Sequence, residues 1–144
     1  MSEKKANPIP QGKYVPATRF GDLIFTAGMT PRKNGVLIQT GKVSASEPLD
    51  SCRDAVRQAA DNALTAARNQ LTDGEAIARV LSMTVYVNAE DGFTAHAKVA
   101  DFASDFLNEE LGDASPMART SIGIASLPGN APVEISLVCG VGKA

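Results

Sequence analysis

Apolar residues follow two different rhythms along this chain, and the switches between them mark its elements. Leu23-Ile24-Phe25-Thr26-Ala27 and Val36-Leu37-Ile38 are short apolar runs rich in strand formers, separated by Pro31-Arg32-Lys33-Asn34-Gly35. Asn-Gly between apolar runs favours a two-residue hairpin turn, because both residues tolerate positive φ, so these two runs are expected to pair. From Pro48 the period lengthens: Cys52, Ala55, Val56, Ala59, Ala60, Ala63, Leu64, Ala67 and Leu71 recur at steps of three and four. That is the spacing of one helix face. Its stripe is mostly alanine, which lets the helix lie close against a sheet, and Thr72-Asp73-Gly74 ends it.

Val80 to Val87 returns to period two, with Leu81, Met83, Val85 and Val87 alternating against Val80, Ser82, Thr84 and Tyr86. A second helix is predicted from about Asp91, carried by Phe93, Ala97, Ala100, Ala103, Phe106 and Leu107 and closing at Gly112. After the loop 113–118, Thr120 to Ser126 and Val133 to Val141 read as closing strands, and Leu127-Pro128-Gly129-Asn130 carries the residues of a turn between them.

The predicted order is β-β-α-β-α-β-β, an α+β two-layer sandwich of a mixed sheet with two helices on one face. Leu23, Phe25, Leu81, Met83, Ile135 and Leu137 cannot all face the helices when neighbours such as Ile24 and Val138 are apolar too. Strands apolar on both sides predict that the uncovered face packs on something, most simply on copies of the same chain. Residues 1–12 are polar and contain Pro8 and Pro10, as expected of a flexible arm, which leaves 13–144 as a single domain.

A length of 144 residues with 44% hydrophobic content suits one core. The formal charge of −2 is dispersed, so no basic track exists for a nucleic acid. No stretch approaches the ~20 apolar residues of a membrane span, and Met1 to Lys5 lead into prolines rather than an apolar signal region, so a cytoplasmic protein is expected. Cys52 and Cys139 form neither a CxxC pair nor a metal knuckle and are expected as buried thiols.

His96 is the only histidine, which excludes a His-rich metal site within one chain and makes any Ser-His-Asp triad depend on it. It sits one turn from Phe93 beside the helix stripe, where a surface or packing role is expected. Val141-Gly142-Lys143 lacks the leading spacing of a phosphate loop, and Glu109-Glu110 and Glu90-Asp91 fall near helix ends as solvated charges. Neither a metal nor an organic cofactor is expected.

One segment stands apart: Ser115-Pro116-Met117-Ala118-Arg119-Thr120-Ser121-Ile122-Gly123, followed by Leu127-Pro128-Gly129 and Val133-Glu134-Ile135. If the two closing strands form a hairpin, Arg119 and Glu134 fall within one site. Taken in isolation, such a pair is more often a cross-strand salt bridge. Arginine is nonetheless suited to recognition, because its planar fork grips a carboxylate through two hydrogen bonds where lysine offers a point charge.

These residues resemble the reactive intermediate deaminase family (RidA/YjgF, also known as L-PSP endoribonuclease-like). Tyr14-Val15-Pro16-Ala17 with Gly21 to Gly28 is similar to its opening signature, and Asn62 falls at a helix position where members carry asparagine. Ala118-Arg119-Thr120-Ser121 with Leu127-Pro128 and Val133-Glu134-Ile135 is similar to its closing signature. The resemblance implies a chorismate-mutase-like fold, a homotrimer around a central β-barrel, and clefts between subunits. It further implies that Arg119 clamps a substrate carboxylate, that Glu134 helps hold the attacking water, and that Tyr14, Ala27, Gly28 and Ser121 line the substrate site. Two positions depart from the common pattern: Ala27 stands where many members have serine, and Ser121 where some have cysteine.

The function so implied is cofactor-free hydrolysis of small 2-imino and enamino acids, such as 2-iminobutanoate and 2-iminopropanoate, to keto acids and ammonia. An alternative is a non-catalytic module that binds small carboxylates in the same clefts. Endoribonuclease activity is the third reading, and the acidic balance with 5% aromatic residues argues against it.

Overall fold

In the computed structural model, buried Met83, Val85 and Val87 alternate with half-exposed Thr84 and Tyr86, and the longest strand of the chain forms around them. The structure describes residues 4–144, so the first three residues of the expected arm lie outside the described residues. The strands are β1 (Ala17–Phe20), β2 (Leu23–Thr26), β3 (Arg32–Lys33), β4 (Val36–Leu37), β5 (Glu75–Asn88), β6 (Ala118–Ile124) and β7 (Val133–Lys143). The helices are α1 (Arg53–Arg68) and α2 (His96–Leu111), and Gly112, at φ 55°, ends the second.

Five strands form a mixed sheet in the order β1-β2-β7-β5-β6. β6 runs parallel to β5, and every other pairing is antiparallel. The alanines of α1 (Ala55, Ala59, Ala60, Ala63, Ala66, Ala67) are fully buried with Val99, Ala100, Ala103 and Leu107 of α2. All of these but Ala55 share one core with Ile24, Met83, Val85, Val87, Val133, Ile135, Leu137 and Cys139 of the sheet. Both helices thus cover one face, as their stripes require. On the opposite face Leu23, Phe25, Leu81 and Ile122 remain 41–46% exposed.

Three expectations are corrected. The Asn34-Gly35 turn forms, with φ of 55° and 83°, but it joins β3 to β4 in a separate two-stranded sheet. Leu23–Thr26 instead pairs with β1 across Gly21-Asp22 and with β7. The closing strands are not a hairpin, because β5 lies between them. Residues 125–132 span the gap of two strand spacings, roughly 10 Å, turning through Gly129 (φ 65°) and Asn130 (φ 59°). Finally, the alternation along β5 is interrupted by register shifts between Ile77 and Arg79 and between Val80 and Ser82. The bulge lets Val80 and Met83 both enter the core and puts Leu81 on the open face.

Asn88, fully buried at the end of β5, holds the crossing loop in place. Its Nδ2 donates to Asn130 Oδ1 and to the Ala131 carbonyl, and its Oδ1 accepts from Lys42 Nζ. Residues of the arm reach α1, with Lys5 paired to Asp61 and Asn69 donating to the Lys5 carbonyl. Among the described residues no helix is long and apolar enough to cross a membrane.

The start of β5 is tied to β1 by a two-point ion pair: Arg19 donates to both Glu75 oxygens at 2.6 and 2.7 Å. Arg19, followed by the Thr72 backbone N–H and hydroxyl, holds the Glu75 carboxyl well below the usual carboxylate range. A depressed folded pKa adds stability above the unfolded value of about 4.3 that is lost as pH falls toward the folded one. Glu75→Gln is therefore expected to lower the melting temperature at pH 7 and to flatten its fall between roughly pH 4 and 2. A thermal-melt series across that range checks both signs.

Candidate active site

Arg119 lies opposite Met83 on β6, the edge strand, and therefore on the helix-covered side of the sheet. Its guanidinium meets the flank of α2: Nη1 donates to Asp101 Oδ1 at 2.7 Å and to Ser104 Oγ at 3.0 Å. Nη2 donates to the Ala97 carbonyl at 3.2 Å. Ala97, Asp101 and Ser104 stand four and three residues apart, so helical geometry alone sets them in one row. The Arg119 side chain is 23% exposed, so it is neither dissolved in water nor sealed in the core.

Ser121, opposite Val85, follows Arg119 on the same side of β6 and is half-buried. One further step along, Gly123 leaves room for His96, whose Nε2 would sit 2.6 Å from a Cβ at that position. The imidazole also stacks edge-on against Phe93 at 5.3 Å, which is the packing role expected of it.

Glu134 sits opposite Tyr86 and so belongs to the open face. Its carboxyl lies against the backbone of Gly28, where a Cβ would fall 2.8 Å from Glu134 Cδ. Only glycine permits this approach without displacing the acid. Burial pushes the Glu134 pKa up, with no opposing contribution from a cation. A half-buried carboxyl of raised proton affinity is better suited to taking and returning a proton than a fully solvated one.

Tyr14 and Gly28 share the wall of a cavity of ≈ 350 Å³ that also includes Arg32, Asp61 and Asn62. Tyr14 accepts a hydrogen bond from the Gln11 N–H, while Ala27, partly buried, packs against the core. Asn62, noted from the sequence, anchors the loop before β3 by donating to the Thr30 and Arg32 carbonyls. Cys52 and Cys139 are buried free thiols, and burial raises the Cys139 pKa to about 12. Among the described residues no cluster of His, Cys, Asp or Glu could hold a metal ion.

Glu134, Gly28 and, through the adjoining cavity, Tyr14 are thus brought into one region of the chain. Arg119 and Ser121 are not in it. Because β5 intervenes and the two sets face opposite sides, the expectation that Arg119 and Glu134 share a site across a hairpin is corrected. Asp101 and Ser104 carried no assigned role in the sequence. Their polar spacing on the edge of the α2 stripe was the available signal, but nothing in it shows that β6 lies alongside.

A sequence model of the family described as Endoribonuclease L-PSP matches residues 4–141. Protein TCP17 of Trypanosoma cruzi is 29% identical over 127 residues, which is 88% of this chain and 79% of that protein. The crystal structure of Atu1372 from Agrobacterium tumefaciens, described as of unknown function, is 30% identical, with a TM-score of 0.82 over 96% of this chain and 87% of that one. E. coli TdcF with bound serine shares the fold at 21% identity, with a TM-score of 0.68 over 93% and 92% of the two chains.

The raised Glu134 pKa has a thermodynamic consequence opposite in sign to that of Glu75. An acid whose folded pKa exceeds its unfolded one costs no stability below the unfolded value, and the cost grows as pH rises through the folded value. Glu134→Gln is expected to melt higher than the unaltered protein at pH 8 and equal to it near pH 4. A higher melting point for the unaltered protein at pH 8 would mean that the carboxylate is stabilised rather than strained by its surroundings.

Proposed function

The chain belongs to the Endoribonuclease L-PSP (YjgF/RidA) family, and we propose that it hydrolyses small 2-imino and 2-enamino acids to 2-keto acids and ammonia. The reading rests on one observation: an arginine fork held on the helix side and a half-buried carboxyl set against Gly28 are presented on opposite faces of one sheet, so they do not pair within one copy. In this reading three copies close around their open faces, with Leu23, Phe25, Leu81 and Ile122 as the apolar contact. Arg119 of one copy then approaches Glu134, Gly28 and Tyr14 of its neighbour.

The chemistry asks little of the protein. Arg119 binds the substrate carboxylate and fixes the imine carbon in place. Glu134 takes a proton from a water as its oxygen adds to that carbon and passes it to the imine nitrogen, giving a carbinolamine; it then carries the hydroxyl proton to the amine as the C–O double bond forms, the C–N bond breaks and ammonia leaves. The atoms balance as imino acid plus water giving keto acid plus ammonia. An enamine enters after tautomerising to the imine. No metal or cofactor step is required, and the substrate is expected to be free in the cytoplasm.

A second reading, capture of a small carboxylate without turnover, draws on the serine carried by TdcF and on Ala27 in place of a hydroxyl side chain. The family's description as an endoribonuclease fits this chain less well, because a charge of −2 supplies no track for a phosphate backbone.

A coupled assay that generates 2-iminobutanoate decides between them. Added protein is expected to accelerate release of 2-oxobutanoate, and Arg119→Ala is expected to lower kcat/KM by at least about a hundredfold, the order of losing a charge-assisted bidentate contact. Turnover that survives the change removes the proposal. Arg119-dependent binding without turnover selects the second reading.

A further inference from the structure

Arginine carries five N–H donors on three nitrogens, so the acceptors that a folded protein supplies to it determine which part of the fork remains for a ligand. Here α2 takes three. Both hydrogens of Nη1 are engaged, one by the Asp101 carboxylate and one by the Ser104 hydroxyl, and Nη2 gives one to the Ala97 carbonyl. Nε–H and the second Nη2–H have no acceptor among the described residues. Those donors lie on two adjacent nitrogens of one guanidinium, as bidentate binding of a carboxylate requires.

We propose that Asp101, assisted by Ser104, is a positioning residue that holds Arg119 by its far nitrogen so that the Nε/Nη2 side is preorganised for a substrate carboxylate. The inference rests on the carboxylate-clamp reading of Arg119 given above and adds a residue to it. A free arginine side chain samples many rotamers and must be immobilised when a ligand binds. An arginine already fixed on a helix has met that entropic cost during folding. The Asp101–Arg119 contact is well suited to this role because its acid is 60% exposed. At that exposure the ion pair adds little to stability, so its effect is expected in ligand affinity rather than in the melting point.

An opposite role is physically available, in which Asp101 is an internal rival for the fork. The donor geometry argues against it, because the aspartate occupies Nη1 alone and leaves the two donors that a ligand needs. The two roles differ in sign, which makes the test sharp.

The experiment measures binding of 2-oxobutanoate by calorimetry, together with KM and kcat for imine hydrolysis, in the unaltered protein and in Asp101→Ala, Asp101→Asn, Ser104→Ala and Arg119→Ala. Loss of one immobilised side chain corresponds to a weakening of about three- to tenfold. Asp101→Ala is expected to raise both the dissociation constant and KM by that factor, with kcat within about twofold. Asp101→Asn, which keeps an oxygen acceptor, should recover much of the loss, and melting temperatures should stay close together. Tighter binding by Asp101→Ala identifies a rival and overturns the proposal. Unchanged Arg119-dependent binding in Asp101→Ala overturns this proposal alone, whereas binding indifferent to Arg119→Ala overturns it together with the carboxylate-clamp reading.

Discussion

Successive residues of a strand point to opposite faces of a sheet, and this parity governs what one copy of the chain can do. Arg119 aligns with Met83 and Glu134 with Tyr86, three steps apart on β5 with no register shift between them. An odd number of steps places the cation on the helix side and the acid on the open side. No side-chain rotation brings them together within one copy. A reaction that uses both residues therefore needs a second copy, and the exposed Leu23, Phe25, Leu81 and Ile122 give that copy an apolar surface to meet.

The same separation preserves the chemistry of each group. An arginine of the same copy bonded directly to Glu134 would stabilise the carboxylate and pull its pKa down, as Arg19 does to Glu75. Kept apart and partly buried against Gly28, Glu134 instead has its pKa raised by desolvation. Arg119, for its part, is paired with an acid that leaves part of its fork open. Two glutamates of the same chain thus carry opposite linkage signs, one fastening β1 to β5 and the other suited to moving a proton.

Much of the architecture could be read from the sequence, because it depends on local periodicity. The alanine stripe of α1, the α2 stripe closing at Gly112, and the period-two run of β5 each follow from residues a few positions apart. Strand order could not be read this way. Leu127-Pro128-Gly129-Asn130 carries turn residues whether the chain doubles back beside itself or crosses over another strand, and only long-range packing places β5 in the gap. The Asn34-Gly35 turn shows the same limit, since its chemistry specified a turn without specifying which strands it joins. Arg119, Glu134 and Gly28 stood out through residue type and family signature. Asp101 and Ser104 did not, because their relation to Arg119 exists only after α2 has packed against β6.

The most direct test of the shared site is subunit complementation. Arg119→Ala and Glu134→Ala chains are each expected to be inactive alone. Co-expressed in equal amounts, they should form mixed trimers in which about a quarter of the sites pair an intact arginine with an intact glutamate from the neighbouring copy, restoring about a quarter of the unaltered rate. Mixed trimers that assemble and remain inactive would contradict the account, because they would show that the two residues do not meet across the interface.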